Sequence, residues 1–409
     1  MSTIIRDAST LDGHRVDVAL DGELVADGQP TEFSADDVID ARGGLLLPAF
    51  IDTHVHLDKV LIRNRLPEHD GTLRGAIDSI HAAKRLYTVD EVRERAVEVI
   101  RSSVLTGTTR LRSHVDVDTI GGLTPLHGVR AAAQECSSIA DVQTIAFPQE
   151  GIVRDPGTEQ LLVEAMQQGA DVVGGMPHWE CGEDEQREHV RICFDIAQRF
   201  DADVDMHVDE TDDGTVRTLG MVGEETIRRG WQGRVTVGHV CALAAADQDY
   251  ADRVIALCAA AEITVVANPV TNLVLQGRGD RGLIRRGTTR IRELMAAGVN
   301  VAFGQDCVND GFYPFGRGDM LEVALISAHT THLTTADELS AALDAVTNGP
   351  ATAWRLGETY GVRPGARADL QLYAAPTWPE VLRRQDAPTH VWHRGRLVAT
   401  TRISRNLQP

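Results

Sequence analysis

His54 and His56, one residue apart, are the first residues in the chain whose spacing can do chemistry. In an extended strand, residues i and i+2 face the same side, so both imidazoles can share one cation. Further along, His207 is followed three residues later by Glu210, His239 ends the run Thr236-Val-Gly-His239, and Asp306 ends Phe303-Gly-Gln-Asp306. Three histidines, a fourth nearby and a carboxylate make a ligand set for one borderline divalent cation, zinc or ferrous iron. An H-x-H pair alone is weak. The reading rests on every one of these residues ending a short apolar, β-branched run.

Eight such runs occur, at 45–54, 109–114, 142–147, 171–174, 204–207, 235–239, 263–267 and 299–303. Between them lie longer Ala-, Arg- and Glu-rich segments with helical apolar spacing, such as 89–105, 158–168, 185–200 and 244–260. The first stops just before Gly107, a usual helix terminator. Eightfold strand–helix alternation predicts an α/β fold, a parallel (β/α)8 TIM-type barrel with insertions, and such a barrel carries its site at the C-terminal ends of the strands. The competing open sheet would show a Gly-rich phosphate turn after its first strand, where this chain has His-Val-His. The ends differ from the middle. Residues 16–24 alternate around Asp21-Gly22, and 368–372 and 390–397 are strand-like with Arg394-Gly395 as a turn. Neither end holds enough core to fold alone. The expectation is one small β domain from residues 1–47 and 361–409, on a catalytic barrel of 48–360.

The 409 residues carry 60 acidic and 40 basic side chains, a net charge of −20. That balance disfavours binding to nucleic-acid polymers or an anionic membrane surface. No basic start followed by an apolar run opens the chain, and no stretch of about 18 apolar residues is present. The six cysteines show no C-x-x-C pair and read as reduced, mostly buried thiols. A cytoplasmic enzyme acting on a small molecule, and a homo-oligomer, are therefore expected. Only two of the basic residues, Lys59 and Lys84, are lysines. Lys59 reads either as a contact to substrate or to a carboxylate, or as a solvated lysine at the rim.

Several stretches together resemble the amidohydrolase superfamily, and within it the cytosine deaminase-like branch. They are Leu47-Pro-Ala-Phe-Ile-Asp-Thr-His-Val-His-Leu-Asp58, Ser113-His-Val-Asp-Val117, Phe147-Pro-Gln-Glu-Gly151, His207-Val-Asp-Glu-Thr-Asp-Asp213, Gly238-His239, Phe303-Gly-Gln-Asp306 with Tyr313-Pro314, and Gly361-Val-Arg-Pro-Gly-Ala-Arg-Ala-Asp369. The resemblance implies that the small domain is a β-sandwich and that His54, His56, His207 and Asp306 hold one metal. It implies that Glu210 shuttles protons, that His239 lies against the attacking water or the tetrahedral centre, and that Gln149 reads a ring amide edge. A carboxamide suits that last role because it both donates and accepts. His114 and His178 are either substrate contacts, as in the family, or hydrogen-bonded groups lining the mouth. The absence of lysine after Lys84 excludes the superfamily's lysine-bridged binuclear centre.

The implied reaction is hydrolytic deamination of a small N-heterocycle of the cytosine or aminopyrimidine type. A metal-activated hydroxide attacks the amino-bearing ring carbon, and ammonia leaves. Two departures bear on the substrate: Cys307 stands where the branch often has a second aspartate, and Phe312 where cytosine deaminase tends to have tryptophan. Both fall in the loop closing over the ring. The same site would serve alkylamine removal from a triazine or opening of a cyclic amide. A non-catalytic scaffold of the same fold would usually have lost the ligands kept here. The H-x-E and P-C-x-x-C signature of polynucleotide deaminases is absent.

Overall fold

A computed structural model describes residues 2–28, 35–67, 73–282, 285 and 287–408. Positions 1, 29–34 and 409 of the expected small domain, and 68–72, 283, 284 and 286 of the expected barrel, lie outside the described residues. Eight parallel strands follow one another in sequence order: β6 (Phe50–Val55), β7 (Thr108–Asp116), β8 (Asp141–Phe147), β9 (Val172–Gly175), β10 (Asp203–Val208), β11 (Val235–His239), β12 (Thr264–Ala267) and β13 (Asn300–Phe303). Helices alternate with them, and most of the strand residues are buried. That is a (β/α)8 barrel, in which an outer ring of helices and the packed interior together let a parallel sheet bury nearly every side chain.

The helices form where the periodicity places them. Helix Val89–Leu105 is capped by Thr88, whose side chain accepts from the Glu91 N–H, and it buries Val92, Ala96, Val99 and Ile100. Gly107 then turns the chain at φ +99°, where any Cβ would lie 1.9 Å from the Gln371 Oε1 atom. Glycine is the residue that fits both constraints.

Two four-stranded sheets come from the chain ends. One has the order β3 (Leu24–Val25), β2 (Arg15–Asp21), β1 (Ser2–Ser9), β4 (Asp37–Asp40). The other has the order β16 (Arg396–Thr400), β15 (His390–His393), β14 (Leu370–Leu372), β5 (Leu46–Pro48). Ile5, Leu20, Ile39, Leu46, Leu370 and Trp392 share one core between them. The run expected as a single first strand, 45–54, is two strands in two sheets. Leu46, Leu47 and Pro48 pair with β14, and the barrel begins at Phe50. The break falls at Ala49, whose N–H donates to the Asp369 carbonyl at 2.9 Å and whose carbonyl accepts from the Tyr360 hydroxyl at 2.7 Å. Not all of the C-terminal segment joins the small sheets. Helix Trp378–Arg384 packs on the barrel, with the Trp378 indole donating to the Leu339 carbonyl at 2.8 Å.

Asp369 joins the two parts. It is buried, lies 2.6 Å from the Arg110 guanidinium of β7, and accepts from the Arg394 N–H at 2.7 Å. Burial alone would raise its pKa, but His393, Arg110 and Arg367 outweigh that and hold the carboxyl well below the usual carboxylate range. A group depressed in the folded state stabilises it above its unfolded pKa, about 3.9, and loses that contribution as pH falls towards the folded value. Asp369→Asn leaves the Arg110 charge poorly compensated and is expected to cost about 3–5 kcal/mol at neutral pH. The cost should shrink below about pH 4, where the carboxyl of the unfolded chain takes up a proton that the folded one still refuses. Chemical denaturation at a series of pH values checks this, and a cost independent of pH would contradict it.

Candidate active site

The five cation-binding candidates converge where β6 meets β13. Asp306 lies three residues beyond β13, and its backbone closes the barrel. The Asp306 N–H donates to the His54 carbonyl at 2.6 Å, and the His56 N–H donates to the Asp306 carbonyl at 3.2 Å. Asp52 reinforces the seam, with Oδ1 accepting from the His54 and Gln305 N–H groups at 3.2 Å each. Asp209, His239, Val240 and Asp306 all sit at positive φ, between +51° and +70°. For Val240 this conformation is strained, and such residues cluster at functional sites.

Side chains meet at the seam. His56 Nε2 lies 3.1 Å from His207 Nε2 and 3.3 Å from Asp306 Oδ1, and His54 Nε2 lies 3.6 Å from the same oxygen. The ring centroids of His54 and His239 are each within 5 Å of that of His207. His207 stacks on Phe147 at 4.2 Å. Burial, together with the neighbouring positive groups, depresses these imidazoles: His56 to about 4, and His54 and His207 well below the usual histidine value. All three are neutral at pH 7, so lone pairs are available. Both ring nitrogens of His54 and the Nδ1 atoms of His56 and His207 are buried without a hydrogen-bond partner. Buried polar atoms normally have one, and the unpartnered His54 Nε2, with the His56 and His207 Nε2 atoms facing one another beside the Asp306 carboxylate, fits a divalent cation there.

Among the described residues three groupings of donor atoms lie within 4.8 Å: Asp141, Asp369 and His393 by the small sheets, and, at the seam, His54, His207, His239 and Asp306, or His56 with Asp58 and Asp116. His56 nonetheless belongs with the His54 grouping, through its short distances to His207 and Asp306. Asp116 is already neutralised by two ammonium groups. No lysine is present on β9 or anywhere beyond Lys84.

The seam opens into a cavity of about 200 Å3, lined by His56, His207, Glu210 and Asp306 among others. That is below the ~300–1,000 Å3 of drug-sized pockets and suits a small ring. Glu210 keeps 15% exposure at the wall, yet burial pushes its carboxyl up to about 7. Asn272 Nδ2 donates to Glu210 Oε1 at 3.2 Å, and His239 Nδ1 lies 3.3 Å both from that oxygen and from Asn272 Oδ1. With a proton on Nδ1, His239 keeps its Nε2 lone pair. Gln149, His178, Cys307 and Phe312 also line the cavity. Burial lowers His178 to about 3 and pushes the Cys307 thiol well above its usual value, so it stays a neutral thiol. His114 is not a wall residue. It lies beneath, its ring 4.1 Å from that of His54 and 3.5 Å from Asp205.

Asn268 and Asn272 escaped the reading of the sequence. Asn268 directly follows β12, so the rule that barrel sites sit at strand ends could have found it. The apolar wall residues Ile77, Val216 and Leu275 gave no such signal, because they lie on helices and loops away from the strand ends, and Trp179 was passed over although it directly follows His178 after β9. Lys59 is not solvated: it is 1% exposed.

The His54 ring is held by close approach. A Cβ on Gly238 would lie 2.6 Å from His54 Cε1, and one on Gly304 would lie 2.7 Å from His54 Cβ and 2.4 Å from Asn268 Oδ1. Gly238→Ala is therefore expected to displace His54 and lower bound metal per chain severalfold, at an overpacking cost of about 1–3 kcal/mol. Elemental analysis of folded protein measures this, and full metal content would show that the ring position does not govern binding.

The family model described as the amidohydrolase family matches residues 90–399. A pterin deaminase of Rhizobium rhizogenes is 32% identical over 88% of this chain and 82% of its own length. An N-isopropylammelide isopropyl amidohydrolase of Pseudomonas sp. (strain ADP) is 29% identical over 85% and 84%. The crystal structure of 5-methylcytosine deaminase from Klebsiella pneumoniae liganded with 5-fluorocytosine superposes with a TM-score of 0.94 at 34% identity, covering 100% of both chains. No helix among the described residues is long and apolar enough to cross a membrane. With its barrel, its strand-end histidines and the extent of these matches, the chain belongs to the amidohydrolase family and is an enzyme of C–N bond hydrolysis.

Proposed function

We propose that the protein is a hydrolytic deaminase of a small N-heterocycle of the aminopyrimidine type, working with one divalent cation, zinc or ferrous iron. The observation that carries this is Glu210: a carboxyl raised to about 7 beside the histidine cluster, across a ring-sized cavity from an amide reader, Gln149. Similarity to a 5-methylcytosine deaminase and a pterin deaminase supports it. His54, His56, His207 and Asp306 would hold the cation. A cation so bound lowers the pKa of a coordinated water from about 15.7 towards 7.

The chain's own groups do the rest. A carboxyl with a pKa near 7 populates both protonation states at neutral pH, so Glu210 takes the proton of the attacking water and delivers it to the ring nitrogen. Asn272 holds Glu210 in place through Oε1. His239 and Asp306 orient the water and stabilise charge developing at the tetrahedral carbon. Gln149 and Phe312 fix the ring, and the neutral Cys307 thiol adds no charge to that wall.

A second reading is favoured by the apolar wall of Ile77, Val216 and Leu275, which has room for an alkyl group, and by similarity to the N-isopropylammelide enzyme. It is release of an alkylamine from a triazine ring on the same site. Assays on aminopyrimidines, pterins and N-alkylaminotriazines, with zinc- and iron-loaded protein, separate the two by whether ammonia or alkylamine appears. Glu210→Gln should keep its metal and lose about 10²-fold or more in turnover. Wild-type turnover in that variant would remove Glu210 from proton transfer.

A further inference from the structure

The chain's two lysines are both buried, and both end on one carboxylate. Lys59 Nζ lies 2.7 Å from Asp116 Oδ1, and Lys84 Nζ lies 2.6 Å from Asp116 Oδ2. Lys84 also pairs with Asp118 at 2.6 Å and reaches Glu150 at 3.5 Å, while the Asp116 N–H donates to Asp58 Oδ2 at 3.2 Å. Asp116 is thereby gripped from its backbone and both oxygens. Lys59 has one further partner, the side chain of Gln149: Nζ donates to Oε1 at 2.9 Å. The ammonium also lies 5.8 Å and 5.9 Å from the ring centroids of Phe147 and Phe312, which limits where it can swing.

An ammonium has only donors, so it dictates which end of the amide it meets. A flipped Gln149 would set its NH2 group against the NH3+ group. The Oε1 end is therefore tied back to Lys59, which is not a wall of the cavity. The Nε2 end lies 3.5 Å from Sδ of Met176, which is a wall residue together with Gln149. A free carboxamide would read donors and acceptors about equally. This one is polarised.

We propose that Lys59 is a positioning residue that locks the Gln149 carboxamide with its N–H groups towards the cavity, so that the site selects rings bearing an oxo oxygen at that edge over rings bearing an amino group there. The selection rests on the heterocycle reading of the cavity. Lys84 and Asp116 serve as the anchor that keeps Lys59 from following a flipped amide. An amino group at that edge would meet a donor with a donor and leave both buried without a partner, the situation that discriminates most strongly between near-isosteric ligands.

The test compares two pyrimidines differing in one group, 4-amino-2-oxopyrimidine and 2,4-diaminopyrimidine. The kcat/KM ratio is measured on wild type, Lys59→Met and Gln149→Glu, each with its metal content determined. Calorimetric binding of 2-oxopyrimidine and 2-aminopyrimidine, which lack the 4-amino group, gives a second readout, with ammonia release followed in parallel so that only unconverted ligand is counted. Wild type should favour the oxo ring by about tenfold or more in both measurements. Lys59→Met, which lets the amide flip, should collapse the ratio to near unity with its metal retained. Gln149→Glu places a carboxylate against Lys59, has no N–H to offer, and should reverse the preference.

A Lys59→Met enzyme that loses activity on both rings alike and keeps the wild-type ratio overturns the proposal, because that is the behaviour of a purely structural lysine. If Lys59→Met does not fold, Gln149→Glu decides, and an unreversed preference overturns it. If wild type neither binds nor turns over either ring, the aminopyrimidine reading itself fails and takes this inference with it. That outcome is seen in wild type before any variant is compared.

Discussion

Everything in the molecule depends on how the barrel closes between its first and last strands. The closing bonds are made by the backbones of His54, His56 and Asp306, the residues whose side chains gather at the mouth. The sheet cannot complete its circle without bringing those side chains within a few ångströms of one another. Each imidazole nitrogen buried there without a partner costs about 1–3 kcal/mol. That cost is sustained by the surrounding core, in which Phe50, Val55, Val208, Val237 and Phe303 are fully buried. Gly238 and Gly304 provide the space for the His54 ring. The same residues close the fold and build the site, so the barrel's own hydrogen bonds position the histidine cluster.

The same closure organises charge. On β7, Arg110, Arg112, His114 and Asp116 alternate with Leu111, Ser113 and Val115, and all seven are buried. The four ionisable residues share one face of the strand. At one end Arg110 pairs with Asp369 of the small sheet. Arg112 then pairs with Asp205, His114 lies under the histidine cluster, and Asp116 collects both lysines. An acidic chain thus carries a column of compensated charge up the inside of the barrel, ending beside the cavity. The excess negative charge of the whole protein bears on solubility and on the exclusion of polyanions. The column bears on the site through its last member, because Lys59, held by Asp116, turns a flexible amide into a directed donor.

Much of this was legible in the chain itself. Strand–helix alternation and the residues at the run ends place His54, His56, His207, His239 and Asp306 at one rim, since a barrel has only one C-terminal face. Less legible was the run 45–54, an uninterrupted apolar stretch in sequence that belongs to two sheets. Hydrophobic continuity cannot report a change of partner, and here the change is made at Ala49, which donates to the Asp369 carbonyl and accepts from the Tyr360 hydroxyl, more than three hundred residues away. His114 illustrates a different limit. The apolar run ends at His114, but β7 continues to Asp116, so the expected strand end lies two residues inside the strand; depth below the rim is a matter of register, set by pairing with β8 from Arg110↔Asp141 to Asp116↔Phe147.

Residue identity and local spacing were enough for the alternation that makes a barrel, for the ligand types that suit one borderline cation and for the absence of a lysine for a second, because each is read along the chain without knowing its partners. Tertiary structure alone decided that charged residues alternating along β7 face inward rather than outward, and that Lys59 is buried against Gln149 rather than solvated. It also decided that Asn272 steadies Glu210. Each of these contacts joins residues far apart in the chain, and its sign and direction come from which faces the closed barrel turns towards its own axis.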